Sequence, residues 1–256
     1  MNVKTFDKNQ LELLVTKNSL GTNYQGDILM LHGIFSNKHE SGRFDRYSEL
    51  LNKNGYVTYR YDHRGHGDNP IDSSKMSIVG TVIDFVDIVN HISKENNNNL
   101  GLIASSYGAG IYLLALQNNK RLPLKTVLLL NPVVDFQSTF VNPLGEQLKG
   151  VFNKANVLEL ENGNCITGPN NTKITPNFFK ELQLLYPYLS IPMLDKCTTV
   201  IHGSKDTAVS FDVCKSRITT NTSIDFIEIE NANHAFREPE SELQIFNALS
   251  KLFPNG

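Results

Sequence analysis

The chain has 256 residues, with 24 Lys and Arg against 26 Asp and Glu, and 40% of its residues are apolar. The net charge of −2 excludes the basic surplus that a nucleic-acid or anionic-membrane footprint requires. A chain of this length buries roughly three quarters of its unfolded surface, so it needs neither disulfides nor a structural metal. Its three cysteines, Cys165, Cys197 and Cys214, lack CxxC spacing and point to neither. The opening MNVKTFDKNQLELL carries no long apolar run, and no stretch approaches the ~20 residues of a membrane span. The expectation is one soluble, cytoplasmic globular protein.

Strand-like and helix-like segments alternate along nearly the whole sequence. Residues 11–16 and 27–31 read as strands, and the second is almost wholly apolar, as befits a strand covered on both faces. Phe44, Tyr47, Leu50 and Leu51 form a helical stripe closed by Asn54-Gly55. Residues 56–61 return to strand. Val82, Phe85, Val86, Val89 and Ile92 mark the next helix, which runs into a solvated polar loop at 96–99. A short strand at 100–104 leads into an apolar helix at 108–116, and a strand at 126–130 ends at Asn131-Pro132. Further strands are expected at 198–202 and 223–229, with helices at 211–217 and 240–253. This alternation predicts an α/β fold: a mostly parallel central sheet with helices on both faces.

Residues 132–197 break the rhythm with six prolines and several Asn/Gly clusters. The stretch is too long for a plain connection in a compact domain, and it reads as an insertion with its own helices, one near 177–185. The predicted organisation is therefore a core of 1–131 and 198–256, with 132–197 as a lid over a crevice at the carboxyl ends of the strands.

The most informative segment is LGLIASSYGAG, a buried strand running into a serine flanked by small residues and then directly into a helix. A nucleophile elbow requires such a sequence, because a sharp strand-to-helix turn exposes one Oγ and tolerates only small neighbours. The G-x-S-x-G frame fits 104–108 with Ala104 at the first glycine, and makes Ser106 the candidate nucleophile. In the frame centred on Ser105, Tyr107 would occupy the second glycine position. Taken alone, the pattern also fits a helix start with Ser106 as N-cap. A serine hydroxyl needs a base, and the base needs an acid to orient it, in the chain order Ser, acid, His for this kind of fold. VIHGSKDTAVS places Asp206 after one strand, and IEIENANHAF places His234 after the next. All three then stand beyond carboxyl ends of strands. An oxyanion needs rigid amide donors. Tyr107 N–H, directly after the nucleophile, is one candidate. Ile34 N–H, aimed by the His32-Gly33 turn, is the other, although Gly33 also fits an ordinary turn.

LHGIFSN, YDHRGHGDN, ASSYGAG, IHGSKDTAV and NANHAF together resemble the α/β-hydrolase superfamily. The resemblance covers essentially the whole chain, with 132–197 in the place of that superfamily's lid. HGIFSNKHE followed by the D-x-R-G-x-G turn is similar to the cinnamoyl/feruloyl esterase branch and to monoacylglycerol lipases. It implies Ser106 as nucleophile, His234 as base, Asp206 as its orienter and Ile34 and Tyr107 as amide donors. Two positions depart from the pattern: Ala104 replaces the first elbow glycine, and Asp68 replaces the small Ser or Thr that often ends the D-x-R-G-x-G turn.

The expected activity is hydrolysis of a small-molecule carboxylic ester through an acyl-enzyme, with no metal or organic cofactor and with the subunit state, monomer or homodimer, left open. A thioesterase or acyltransferase would use the same three residues. A non-catalytic ligand-binding member of the fold would lack one of them. The cluster Asp62, His63, His66 and Asp68 reads as a structural turn, since two glycines in the run exclude a helix presenting both imidazoles; Arg64 is expected to pair with a nearby carboxylate. Gly108-x-Gly110 has Leu113 where a dinucleotide fingerprint needs its third glycine. His32 and His202, each before a glycine at a strand end, read as turn formers. The aromatic residues of 132–197, among them Phe140, Phe152, Phe178, Phe179 and Tyr188, fit either a substrate pocket or the insertion's own core.

Overall fold

The computed structural model describes residues 1–17, 23–95, 99–119 and 122–255. Two short strands, β1 (Asn2–Lys4) and β2 (Gln10–Glu12), pair antiparallel, and β3 (Leu14–Thr16) joins the main sheet. The chain then alternates through β4 (Gly26–Leu31), α1 (Arg43–Lys53), β5 (Tyr56–Arg60), α2 (Ile78–Glu95), β6 (Leu100–Ser105), α3 (Tyr107–Asn118) and β7 (Leu124–Leu130). The polar loop expected at 96–99 lies, except for Asn99, outside the described residues. A segment follows with α4 (Glu146–Lys149), α5 (Lys154–Glu161), a two-residue hairpin of β8 (Ile166–Thr167) and β9 (Lys173–Ile174), and α6 (Pro176–Leu184). The alternation resumes with β10 (Thr198–Gly203), α7 (Phe211–Ile218), β11 (Asp225–Ile229) and α8 (Pro239–Leu252).

The main sheet has seven strands in the order β11-β10-β7-β6-β4-β5-β3, parallel throughout except for β3 on β5. Period-two alternation along the central strands builds two cores. Leu29, Leu31, Leu102, Ala104 and Leu129 face α2 and α3, whereas Ile28, Met30, Ile103, Leu128 and Leu130 face α1 and α8. Every residue of β4, β6 and β10 is buried, which is why apolar runs such as 28–31 and 102–104 mark them, with Asp27, Thr198, Thr199 and His202 among the buried polar exceptions.

The single strand expected at 11–16 is two strands in two sheets. Leu11 and Leu13 are both buried, but the Leu13 amide donates to Met1 O, while β3 pairs with β5. Alternating burial specifies which side chains face inward and is silent on the partner strand.

The segment 132–197 contributes no strand to the main sheet and rests on the loops at its carboxyl edge. Asn170 Nδ2 donates to Phe35 O at 2.7 Å, and the Gln147 amide to Thr207 O at 3.0 Å. Glu181 accepts from Ser77 Oγ and the Ile78 amide, tying α6 to the start of α2. Phe140, Phe152, Phe178 and Phe179 are buried, and their rings pack on one another and on Phe136 and Tyr107. These four aromatics are the internal core of the segment.

The DHRGHGD turn after β5 is structural, as expected. Arg64 Nε and Nη2 clamp both oxygens of the buried Asp84 carboxylate at 2.6 and 2.7 Å, and Nη1 meets Asp7 at 2.7 Å. Asp68, half of an exposed ion pair with Lys38 at 2.7 Å, helps hold the Lys38 ammonium that also reaches Asp62. Asp84 is 1% exposed, so removal of its partner strands a charge in the core. Arg64→Gln is expected to lower stability by about 3–5 kcal/mol, read as a fall in the urea-unfolding midpoint at unchanged slope.

Candidate active site

Ser106 occupies the turn between β6 and α3 with φ 51° and ψ −116°, a conformation that costs a non-glycine residue roughly 1–3 kcal/mol. The strain is held by hydrogen bonds on both sides. The Ser106 amide donates to Leu130 O at 2.9 Å, and its carbonyl accepts from the Val133 amide at 3.1 Å. Two residues on, a Cβ at Gly108 would stand 2.7 Å from the carbonyl oxygens of Leu31 and His32, so only glycine lets α3 lie this close to the end of β4. Ser105, one residue earlier, points elsewhere. Its Oγ donates to Glu40 Oε1 at 3.0 Å and accepts from Arg43 Nη2 at 2.7 Å.

Asp206 and His234 meet directly. His234 Nδ1 lies 2.6 Å from Asp206 Oδ2, and the other carboxylate oxygen accepts the Ala208 and Val209 amides, each at 2.8 Å. The Asp206 side chain is fully buried. Burial opposes its charge, but the adjacent His234, together with hydrogen bonds from His202 and His234, holds the carboxyl well below the usual carboxylate range. His202 Nε2 stands 3.3 Å from Asp206 Oδ2 and 3.2 Å from Val209 O, so this residue supports the acid besides ending a strand. Ser106 and His234 line one cleft of about 260 Å³ beside Gly33, Ile34 and Phe35, with Leu148 and Pro169 of 132–197 opposite. Of the four buried aromatics of that segment, none is among the lining residues.

The loop after β4 supplies the opposite wall. Gly33 N–H donates to Glu40 Oε2 at 3.0 Å, which leaves the following amide, Ile34, free. Among the described residues neither the Ile34 nor the Tyr107 amide has an acceptor. Three consecutive left-handed residues, Glu40, Ser41 and Gly42, turn the Glu40 carboxylate back to this loop. His32 is locked from beneath: its Nε2 accepts the His63 amide at 2.9 Å, and His63 Nε2 donates to His32 O at 3.1 Å. Asn131 performs the same service on the far side. Its Oδ1 accepts the Gly203 amide at 2.9 Å, and its Nδ2 donates to His234 O at 2.7 Å.

The sequence pattern locates Ser106, Asp206, His234, Ile34 and Tyr107 on loops at one edge of the sheet, and the structure places them all there. The sequence pattern carries no sign of Asn131, Glu40, Arg43 or the contact of His202 with Asp206. Asn131-Pro132 reads only as a strand end, and Glu40 and Arg43 look like an ordinary exposed helix start. Among the described residues no group of three or more His, Cys, Asp or Glu could hold a metal ion, and no helix is long and apolar enough to cross a membrane.

A family model described as serine aminopeptidase, S33, matches residues 22–176, and the chain belongs to that family of α/β hydrolases. No curated protein sequence matches it. Among solved structures, it is similar to Est1E of Butyrivibrio proteoclasticus with ferulic acid bound, at TM-score 0.77 and 16% identity over 98% of this chain and 96% of that one. A monoacylglycerol lipase of Paleococcus ferrophilus gives 0.69 and 16% over 96% and 99%. Mouse alpha/beta hydrolase domain-containing protein 10 gives 0.73 and 16% over 98% and 97%. At these identities the likeness establishes the fold, an α/β-hydrolase fold.

Three imidazoles beneath the loop after β4 are kept neutral by burial: His32 is displaced below the usual range, His63 well below it, and His66 down to about 4. The unfolded chain binds their protons below about pH 6.5 and the native state does not, so stability is complete above that pH and declines beneath it by up to ~1.4 kcal/mol per pH unit for each histidine. The urea midpoint is expected to fall between pH 7 and pH 5, and to fall less in His66→Gln.

Proposed function

We propose that this protein is a serine-dependent carboxylic ester hydrolase working through an acyl-enzyme. The observation that carries this reading is the convergence of Ser106 and His234 on one cleft, with His234 held by the buried Asp206 at 2.6 Å. His234 Nδ1 faces the carboxylate, which leaves Nε2 as the proton acceptor. Ser106 Oγ attacks the ester carbonyl as its proton passes to Nε2, and the free Ile34 and Tyr107 amides receive the oxyanion. The C–O bond to the alcohol then breaks and His234 returns the proton to the leaving oxygen. Water, deprotonated by the same nitrogen, attacks the acyl carbon, and the carboxylic acid departs as Ser106 regains its hydrogen. Residues 132–197, which supply Leu148 and Pro169 to the cleft, serve as the lid.

The cleft favours small acyl groups. Phe35 is the one aromatic residue lining it, so a short-chain ester fits more readily than a bulky cinnamoyl group. A thioester or a transfer acceptor other than water would engage the same residues. Aminopeptidase action, named in the family's description, fits this chain poorly: the lining has one carboxylate, Glu40, already bonded to Arg43 and Gly33, and three arginines that would repel a substrate ammonium.

Intact-mass measurement after a fluorophosphonate, with p-nitrophenyl butyrate turnover in parallel, tests the reading. A single adduct and turnover are expected, both lost in Ser106→Ala, with kcat reduced about 10⁶-fold there and about 10⁴-fold in Asp206→Asn. Absence of an adduct on the folded protein overturns the activated serine. An adduct with turnover of an acyl thioester and none of the oxyester assigns the thioesterase reading instead.

A further inference from the structure

The chain as a whole is slightly acidic, yet the cleft that holds Ser106 is lined by Arg43, Arg46 and Arg237 against the single carboxylate of Glu40. The charge of Glu40 is already engaged by Arg43 Nη2 at 2.9 Å, Ser105 Oγ at 3.0 Å and the Gly33 amide at 3.0 Å. The guanidinium groups are less fully used. Arg43, with 8% of its side chain exposed, spends Nη2 on Glu40 and Ser105 and lies 5.9 Å from the Phe236 ring centroid, and its buried Nη1 has no hydrogen-bond partner. An orphaned cationic donor at this depth is costly unless a ligand meets it. Arg237, in the loop that carries His234, makes no ion pair or hydrogen bond among the described residues. Arg46 gives Nε to Glu242 at 2.6 Å and Nη1 to Gly42 O at 3.2 Å.

We infer that the three arginines form an anion subsite beside Ser106, and that the natural substrate is an ester carrying its own negative group, a carboxylate or a phosphate. This assignment rests on the esterase reading and gives it a substrate class. Guanidinium is the group suited to it: planar, permanently charged, and able to meet either oxyanion with paired donors. A long neutral acyl chain would leave these charges desolvated without return. Succinyl-type half-esters match the arrangement, since their carboxylate lies a few bonds from the scissile carbonyl.

The test compares p-nitrophenyl hemisuccinate, with its charge on the acyl side, and 4-carboxyphenyl butyrate, with its charge on the leaving group, against their neutral counterparts. A phosphate-bearing phenyl butyrate separates phosphate from carboxylate. At least one charged ester should be favoured in kcat/KM by ~10-fold or more, the size of one charge-assisted hydrogen bond. That ratio should collapse in Arg237→Gln and Arg46→Gln, and shrink as ionic strength rises from about 0.02 to about 0.5 M. Lys251→Gln, the same charge change at the far end of α8, should leave the ratio unaltered. In Ser106→Ala, binding of monomethyl succinate measured by calorimetry should weaken ~10-fold when Arg237→Gln is added. No charged ester preferred, or a preference indifferent to both arginine changes and to salt, overturns the subsite. If no ester is turned over at all, the esterase reading fails by itself, and the calorimetric arm still decides the subsite: no binding of the half-ester overturns it.

Discussion

A Cβ at Gly108 would stand 2.7 Å from the carbonyl oxygens of Leu31 and His32, and much of the site depends on that close approach. With no side chain there, α3 begins against the end of β4, and the residue before it must leave β6 by a sharp, left-handed turn. That residue is Ser106. The same approach brings the loop after β4 beside Ser106, because a Cβ on Gly33 would lie 3.3 Å from Ser106 Cβ. One helix packed at glycine distance thus sets both the strained serine and the position of the amides opposite it.

Parallel strands deliver every loop to one edge of the sheet but leave those loops unanchored. Here buried polar groups do the anchoring. Asn131 joins the ends of β7 and β10 to the His234 loop, His63 grips both the ring and the carbonyl of His32, and the Asp206 carboxylate takes two amides of its own turn before it meets His234. Each bond is made in a low-dielectric interior, where a satisfied polar network is rigid and a broken one is expensive. Rigidity at these points is what the proposed mechanism requires of its amide donors, since stabilisation of a developing charge is worth most when no reorganisation accompanies it.

Charge separates this cleft from the surface around it. A molecule with a slight acidic surplus gathers three guanidinium groups around the Ser106 cleft, two of them on α1 and one after β11. The Glu40-Ser41-Gly42 run, with three positive φ angles in succession, turns the start of α1 so that Glu40 and Arg43 reach inward. Local backbone strain at such a place has a stated return: the carboxylate that orients Gly33 is delivered by the same turn as the cation that lines the cleft.

The strand and helix order was legible because burial on two faces leaves continuous apolar strands, and amphipathic helices keep their 3.6-residue period. Ser106, Asp206 and His234 stand out in the sequence as candidates because an elbow tolerates only small neighbours and because chain order follows strand order. The rest was decided by tertiary packing. Leu11 and Leu13 alternate identically whichever strand they pair with, so the split between two sheets does not appear in the pattern. Phe140, Phe152, Phe178 and Phe179 have the same composition as a pocket wall and as a core, and only three-dimensional contacts place them in the core. Glu40 and Arg43 look like a solvated helix start until a left-handed turn directs them to the Ser106 cleft. Periodicity and spacing record which faces are buried, whereas partners across the fold are set by distances that no local pattern encodes.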